Sequence, residues 1–515
     1  MAAGRRALAS VRESFGGVSE PAHAVAESYL DTFDWLVQRG GGTLSAIEGP
    51  SGLLLAWRGP GDRLRHRLLV PTLPAFVADL PGSPMRDELA GVVGVRRMLP
   101  VVRLELRRTA LRVEDDRGKT VARLILEHGT VEGAEGEGGR RKFPATVQLI
   151  PLRGYKEIAL RVASFLEADL RMRPAEPARL IRALAIFGRA AGGRGSKPRP
   201  SLDPAERSDR SMKRVLRVLF DTLRLNEDGV RNDVDSEFLH DFRVSVRRTR
   251  SALAQIKSVF PAPELDRFRE EFGWLGKTTN LLRDLDVHLL GMPDYRAMLP
   301  EAERGALDPF EDLLARRRGV EHERLVGDLD SERYAALVRE WDRFLEQPPH
   351  ADGGAKPKNA ERPILDVAAE RVRRAHRKVL ARGRAIEDDS PAEALHALRI
   401  DCKKLRYLLE FFAEIFSADD VAVLVKALKH LQDNLGRHND LDVQGRTVRQ
   451  YAQELAAEGT LEGATVQALI DLMAALESAR REERGRFAGC FGRFDTRKNA
   501  GRLERAVRGA NGRKA

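Results

Sequence analysis

At 515 residues the chain is too long for one ordinary core, so two or three domains are expected. Its 42% apolar content is enough for burial, and 6% aromatics suit helices packed with Leu, Val and Ala better than an all-β sandwich. The 88 basic residues outnumber 77 acidic ones, and the net charge of +11 favours a polyanionic partner without choosing among nucleic acid, anionic lipid and phosphate polymers. Cys402 and Cys490 stand far apart, so neither a disulfide framework nor a zinc site is expected. Arg5 and Arg6 are followed by no apolar stretch, which argues against a secretory signal. No run of about 18 uncharged apolar residues occurs, and a soluble, cytoplasmic setting is expected.

Residues 1–187 read as short segments between turns such as Gly40-Gly41-Gly42, Pro60-Gly61 and Asp116-Arg117-Gly118, with a Gly-rich stretch from Gly133 to Gly139. Strands are predicted at Leu53–Trp57, Val101–Leu106, Thr120–Leu126 and Thr146–Leu152, and helices at Glu157–Leu170 and Pro177–Phe187. Residues 188–211, rich in Gly, Arg, Pro and Ser, read as a linker. From 212 to 497 apolar residues recur at i, i+3, i+4 spacing, the mark of helices. Pro348–Pro363 reads as an insertion between two helical halves, at about 212–300 and 364–450, and 498–515 as a solvated basic tail.

An internal repeat carries the strongest signal. Leu239-His240-Asp241-Phe242-Arg243-Val244 matches Leu395-His396-Ala397-Leu398-Arg399-Ile400. In the same register Arg247-Arg248 matches Lys403-Lys404, Arg250 matches Arg406, and Asp284-Leu285-Asp286-Val287 matches Asp440-Leu441-Asp442-Val443. A constant offset of 156 residues relates every pair. On a helix, Arg247, Arg243 and Arg250 lie about 20°, 60° and 80° from His240, which makes one narrow cationic stripe. His396, Arg399, Lys403 and Arg406 form the second. Phe242, Val246 and Leu253 fall on an adjoining face suited to a core. Like charges at i,i+4 repel, so such stripes call for a counter-charge. One stripe alone reads as a solvated face, and one histidine alone as a core residue; two stripes in register point elsewhere. The paired aspartates are expected to meet helix arginines or to cap a helix rather than to bind metal.

The doubled His-x-x-Arg-x-x-x-Arg/Lys-Arg/Lys-x-Arg pattern followed by Asp-x-Asp-Val resembles the CHAD family, the conserved-histidine α-helical domain. The resemblance implies two pseudo-symmetric four-helix bundles and a basic channel for inorganic polyphosphate. The ligand set it implies is His240, Arg243, Arg247, Arg248, Arg250, His396, Arg399, Lys403, Lys404 and Arg406, with Lys277 and Arg283 secondary. Where the family has Leu-Gly before the first Asp pair, this chain has Thr279-Asn280; the second copy keeps Leu435-Gly436.

Tyr29-Leu30-Asp31-Thr32-Phe33-Asp34 resembles a segment of the CYTH, or triphosphate tunnel, family, which implies an antiparallel β-barrel with basic residues for triphosphate and glutamates for a divalent metal. The Glu-x-Glu-x-Lys expected near the start is absent, and Thr146–Leu152 carries no carboxylate. Arg63/Arg65/Arg67 and Arg103/Glu105/Arg107 alternate as one strand face would place them. The expectation is a multidomain α+β protein, a degenerate CYTH-like barrel and a CHAD domain. It would bind polyphosphate without catalysis, cofactor, metal, membrane or nucleic acid, and could accompany polyphosphate granules. Metal-dependent triphosphatase and nucleic-acid binding through basic helices are the competing readings.

Overall fold

The computed structural model describes residues 2–50, 52–134, 139–175, 178–192, 200–348, 357–457, 459 and 462–508. The chain divides into two units, Met1–Lys197 and Pro198–Ala515.

The first unit is built on one eight-stranded antiparallel sheet. Its strands are β1 Val18–Ser19, β2 His23–Asp31, β3 Thr43–Gly49, β4 Gly52–Gly59, β5 Arg63–Val70, β6 Leu99–Glu114, β7 Thr120–Gly133 and β8 Arg140–Pro151. The order is β5-β4-β3-β2-β6-β7-β8, with β1 added on β6. Among the described residues β5 and β8 do not pair, so the sheet is open and the closed barrel expected from sequence is not formed. Barrel closure depends on two edges distant in sequence, which strand periodicity does not encode. The β5 edge carries exposed Arg63, Arg65 and Arg67, a charged edge of the kind that discourages further pairing.

Helices α1 Ala2–Phe15, α2 Leu36–Arg39, α3 Pro84–Val93, α4 Lys156–Ala168 and α5 Arg179–Ala185 complete this unit. α1 and α4 pack Ala7, Leu8, Val11, Val162 and Leu166 against Leu111, Val113, Leu124 and Leu126 of the long β6–β7 hairpin. α3 covers Leu44, Leu55 and Trp57 at the other end with Met85, Leu89 and Val93. α5 lays Leu180, Ala183 and Leu184 against Tyr29, Leu104 and Leu106. Of the Gly-rich stretch, residues 135–138 lie outside the described residues.

The second unit is helical: α6 Ser208–Arg231, α7 Ser236–Gln255, α8 Ala262–Thr278, α9 Asn280–Leu290, α10 Met292–Ala297, α11 Asp308–Asp330, α12 Glu332–Glu346, α13 Ile364–Arg384, α14 Ala392–Phe411, α15 Ala418–Ala457, α16 Gly463–Phe494 and α17 Arg497–Ala506. Leu285 and Leu441, equivalent in the repeat, share one apolar cluster with residues of α11 and α16. Trp341 is fully buried, with ring centroids of Phe268, Phe272 and Phe344 at 4.7, 5.0 and 5.2 Å. The first nine residues of the stretch read as a tail, 498–515, belong to α17, whose Leu503 is buried; residues 509–515 lie outside the described residues.

Two segments that look like spacers hold each other. The Ser208 and Asp209 amides donate to the carbonyls of Arg362 and Ala360 at 2.9 and 3.1 Å, and the Ile364 amide to Glu206 at 2.9 Å. Residues 200–211 therefore belong to the helical unit, and residues 357–363 are an ordered strap rather than part of an insertion. Proline-rich composition favours extended backbone, and here that backbone is paired. Residues 193–199 and 349–356 lie outside the described residues.

Close packing gives one direct test. A Cβ at Gly229 of α6 would overlap the Phe238 ring at the start of α7. Alanine favours helix over glycine by about 1 kcal/mol, but overpacking costs about 1–3 kcal/mol. Gly229→Ala should therefore lower the denaturant midpoint of the helical signal; an unchanged or raised midpoint would show that the two helices can part there freely.

Candidate functional site: two cationic helix faces that meet

Asp235 caps α7, its carboxylate accepting the Glu237 and Phe238 amides at 2.9 and 3.3 Å, and so fixes the helix phase five residues before His240. Phe242, Val246 and Leu253 are buried, as are their counterparts Leu398, Cys402 and Leu409 on α14. With these faces in the core, both stripes turn outward from it. α7 and α14 pack against each other, and the Gln255 amide donates to the Lys404 carbonyl at 3.2 Å.

The two stripes meet. Tyr407, buried on α14, has the guanidinium carbons of Arg247, Arg248 and Arg406 at 5.9, 5.9 and 5.7 Å from its ring centre. Arg248 also lies 5.2 Å over Phe411. Glu410 lies 3.1 Å from Arg248 and 3.4 Å from Arg406, joining one cation of each stripe. The Tyr407 hydroxyl is buried without a hydrogen-bond partner among the described residues. Arg250 is exposed and leans over Gly276 of α8.

Lys403 carries the strongest electrostatic load. Burial and the charges of Arg399, Arg247 and Arg406 push its pKa down to about 7, with Asp440 opposing them. Among the described residues no carboxylate lies within 4 Å of its ammonium. Arg243 is pushed down to about 10, chiefly by burial. Lys404 sits half-buried on the flank of α14.

The departure at Thr279-Asn280 has a structural result. Arg243 donates to the Thr279 hydroxyl at 2.8 Å and to the Asn280 side-chain carbonyl at 2.9 Å. The chain breaks between α8 and α9 at this point. In the second copy α15 runs through Leu435-Gly436 without a break, and Arg399 meets Asp440 at 3.1 Å instead. The aspartates do not cap helices, since all four lie within α9 or α15. They do meet arginines: Asp286 pairs with Arg318 at 2.8 Å and Asp442 with Arg446 at 2.9 Å.

His396 is exposed, its Nδ1 2.6 Å from the Asn439 side-chain oxygen, and His240 is half-buried on α7. Arg283 turns to the start of α7, donating to the Ser236 carbonyl at 3.2 Å, with Glu237 at 3.7 Å. That contact ties α9 to α7 and sets Arg283 apart from the Tyr407 cluster. Lys277 is exposed in the last turn of α8. Sequence reading missed Tyr407, Glu410 and Asn439. Glu410 aligns with Ala254 in the repeat, so the offset carried no trace of it.

In the first unit, Glu27 on β2 and Glu127 on β7 are buried and held by arginines. Arg179 of α5 meets both at 2.8 Å, and Arg108 of β6 meets Glu127 at 2.6 Å and Glu27 at 3.4 Å. Burial works against the Arg179 charge, but Tyr29, Glu127 and Glu27 outweigh it and hold its pKa above the ordinary value. Acids are thus present on this sheet face, at positions that motif spacing did not flag. No group of three metal-ligating side chains occurs among the described residues. Arg103 reaches Glu48 and Arg140 reaches Glu105 at the exposed surface, so the Arg103/Glu105 alternation is a solvated, paired face.

Comparison with known proteins places these observations. A curated protein of Mycobacterium tuberculosis, named as uncharacterized protein MT2285, is 28% identical over 295 residues, covering 53% of each chain; its counterpart in strain H37Rv matches equally. The chain thus spans about half the length of the curated relatives it matches. The crystal structure of the CHAD domain from the plant Ricinus communis is similar with 25% identity and a TM-score of 0.45, covering 60% of this chain and 96% of that one. PptA from Streptomyces chartreusis is similar with 18% identity and a TM-score of 0.42, covering 56% and 99%. The family model for the CHAD domain matches residues 214–449. That span contains both repeated stripes and all four aspartates, and the chain carries a CHAD domain there.

Proposed function

We propose that the helical unit binds inorganic polyphosphate along the seam between α7 and α14, in a channel between two four-helix bundles. The observation that carries this reading is Lys403, half-buried among Arg247, Arg399 and Arg406 with no carboxylate at pairing distance among the described residues. A site built this way needs negative charge from outside. Guanidinium groups offer forked donors suited to phosphate oxygens, and a chain of phosphates can satisfy two stripes at once. The ligand set is His240, Arg243, Arg247, Arg248, Arg250, His396, Arg399, Lys403, Lys404 and Arg406. Lys277 borders it, and Arg283 contributes through the placement of α9.

The first unit fits a degenerate CYTH-like domain without triphosphatase activity. Glu27 and Glu127, two buried carboxylates of its sheet, are each bound by Arg108 and Arg179, which leaves them committed. Phosphate release from tripolyphosphate in the presence of Mn²⁺ would overturn this part.

Salt tests the binding reading. Each phosphate neutralised by a lysine or arginine releases counterions, so affinity should fall by about two orders of magnitude or more between roughly 50 and 200 mM salt. Long polyphosphate should also displace duplex DNA at one fixed salt concentration. A flat salt profile, or displacement in the opposite sense, would sink the proposal.

A further inference from the structure

The sheet of the first unit has a second charged region, on the face opposite the Glu27–Glu127 cluster. Adjacent strand residues point to opposite faces, so Arg107 and His128 lie across the sheet from Arg108 and Glu127. Arg107 of β6 and His128 of β7 are directly paired in the register. His128 sits in a bulge of β7 against β8, between Glu127 and Gly129. No side chain fits at Gly129, whose Cβ would overlap the Glu105 carbonyl, so the bulge has a fixed place. Bulges re-aim side chains and are frequent beside binding sites.

α1 closes over this pair. Arg5, Leu8, Ala9 and Arg12 recur at helical spacing, which puts Arg5 and Arg12 about 20° apart on one face. That face, Arg107 and His128 line an open pocket of about 740 Å³. Its floor is apolar, from Leu8 and Leu126, and Ser19 and Thr109 add hydroxyls. Glu13 is the one carboxylate in the lining. Among the described residues, Arg5, Arg12 and Arg107 have no carboxylate within 4 Å, whereas Arg103, Arg108 and Arg112 beside them on β6 are all paired. Burial, then the charges of Arg5 and Arg107, hold His128 below the ordinary histidine pKa.

We infer that this pocket is a binding site for a small phosphate-bearing molecule. Arg5, Arg12 and Arg107 grip the phosphate, His128 donates from the floor, and Leu8 and Leu126 take up apolar surface. An open, three-guanidinium rim over a bulged histidine is a site for a compact dianion, because each guanidinium can give a charge-assisted hydrogen bond.

The test uses the full chain carrying Arg247→Ala/Lys403→Ala, which disables the helical site, with inorganic pyrophosphate as the probe in equilibrium dialysis. We expect one pyrophosphate to bind per chain. Adding Arg5→Gln/Arg12→Gln should weaken that binding by about a hundredfold or more, the loss that two charge-assisted hydrogen bonds bring. Both arginines are exposed, so thermal unfolding should not change. Arg107→Gln on its own should act in the same direction. Absence of binding in the Arg247→Ala/Lys403→Ala chain, or binding indifferent to Arg5 and Arg12, would overturn the inference.

Discussion

Arg247→Ala/Arg248→Ala and Lys403→Ala/Lys404→Ala should each weaken long-chain polyphosphate binding by about a hundredfold or more while leaving helicity intact. Each pair removes two charge-assisted contacts, and each such contact contributes roughly 1.5–3 kcal/mol. The first pair has an added effect. Arg248 holds Glu410 at 3.1 Å, so its removal leaves a half-buried carboxylate facing the incoming phosphate. It also uncovers Tyr407 and Phe411, and some loss of stability should accompany the loss of affinity. Glu410→Gln added to the first double variant should restore part of the affinity. Filter binding with labelled polymer, alongside circular dichroism, reads both quantities. A double variant that binds like the parent would reduce that stripe to a solvated face.

The second large effect is on pH. The Lys403 pKa stands at about 7 in the free protein, against an ordinary 10.5. The groups facing it are Arg399, Arg247 and Arg406, with Asp440 opposing. Bound polyphosphate supplies the missing negative charge and raises that pKa again. Above pH 7, therefore, binding takes up a proton, and affinity should fall by up to about tenfold per pH unit between 7 and 9. Stability of the free protein runs the other way. Between pH 7 and 10.5 the unfolded chain holds more protons at this lysine, so its contribution to stability rises with pH. Calorimetry at pH 8 in two buffers of different ionisation enthalpy should show proton uptake approaching one per site. Lys403→Arg keeps the charge but does not titrate in this range, and should bind with the uptake removed. Equal uptake in both proteins would exclude Lys403 and return attention to His240 and His396.

How much of this was legible in the sequence differs by element. The stripes could be read because a helix turns charge periodicity into a spatial line, and a constant offset proves duplication without any coordinates. That the lines face each other was not legible, because Tyr407 and Glu410 occur in one copy only. The Thr279-Asn280 departure was legible, but not its result, a pair of acceptors for Arg243 where the other copy uses Asp440. Spacer composition misled at 200–211 and 357–363, where extended backbone finds a partner about 150 residues away. The barrel failed for the same reason in reverse: each strand was readable, but closure is a contact between distant edges.

The unequal halves have one further consequence. Linear polyphosphate reads the same from either end and carries no sequence along its length, so it offers nothing by which to be set in place. Arg243 rests on neutral acceptors where Arg399 rests on a carboxylate, and Glu410 has no counterpart at Ala254. Along the seam, attraction for an anion is therefore uneven although the helices are duplicated. On the proposed reading, a featureless ligand would settle where that landscape is deepest, its address written wholly in the protein.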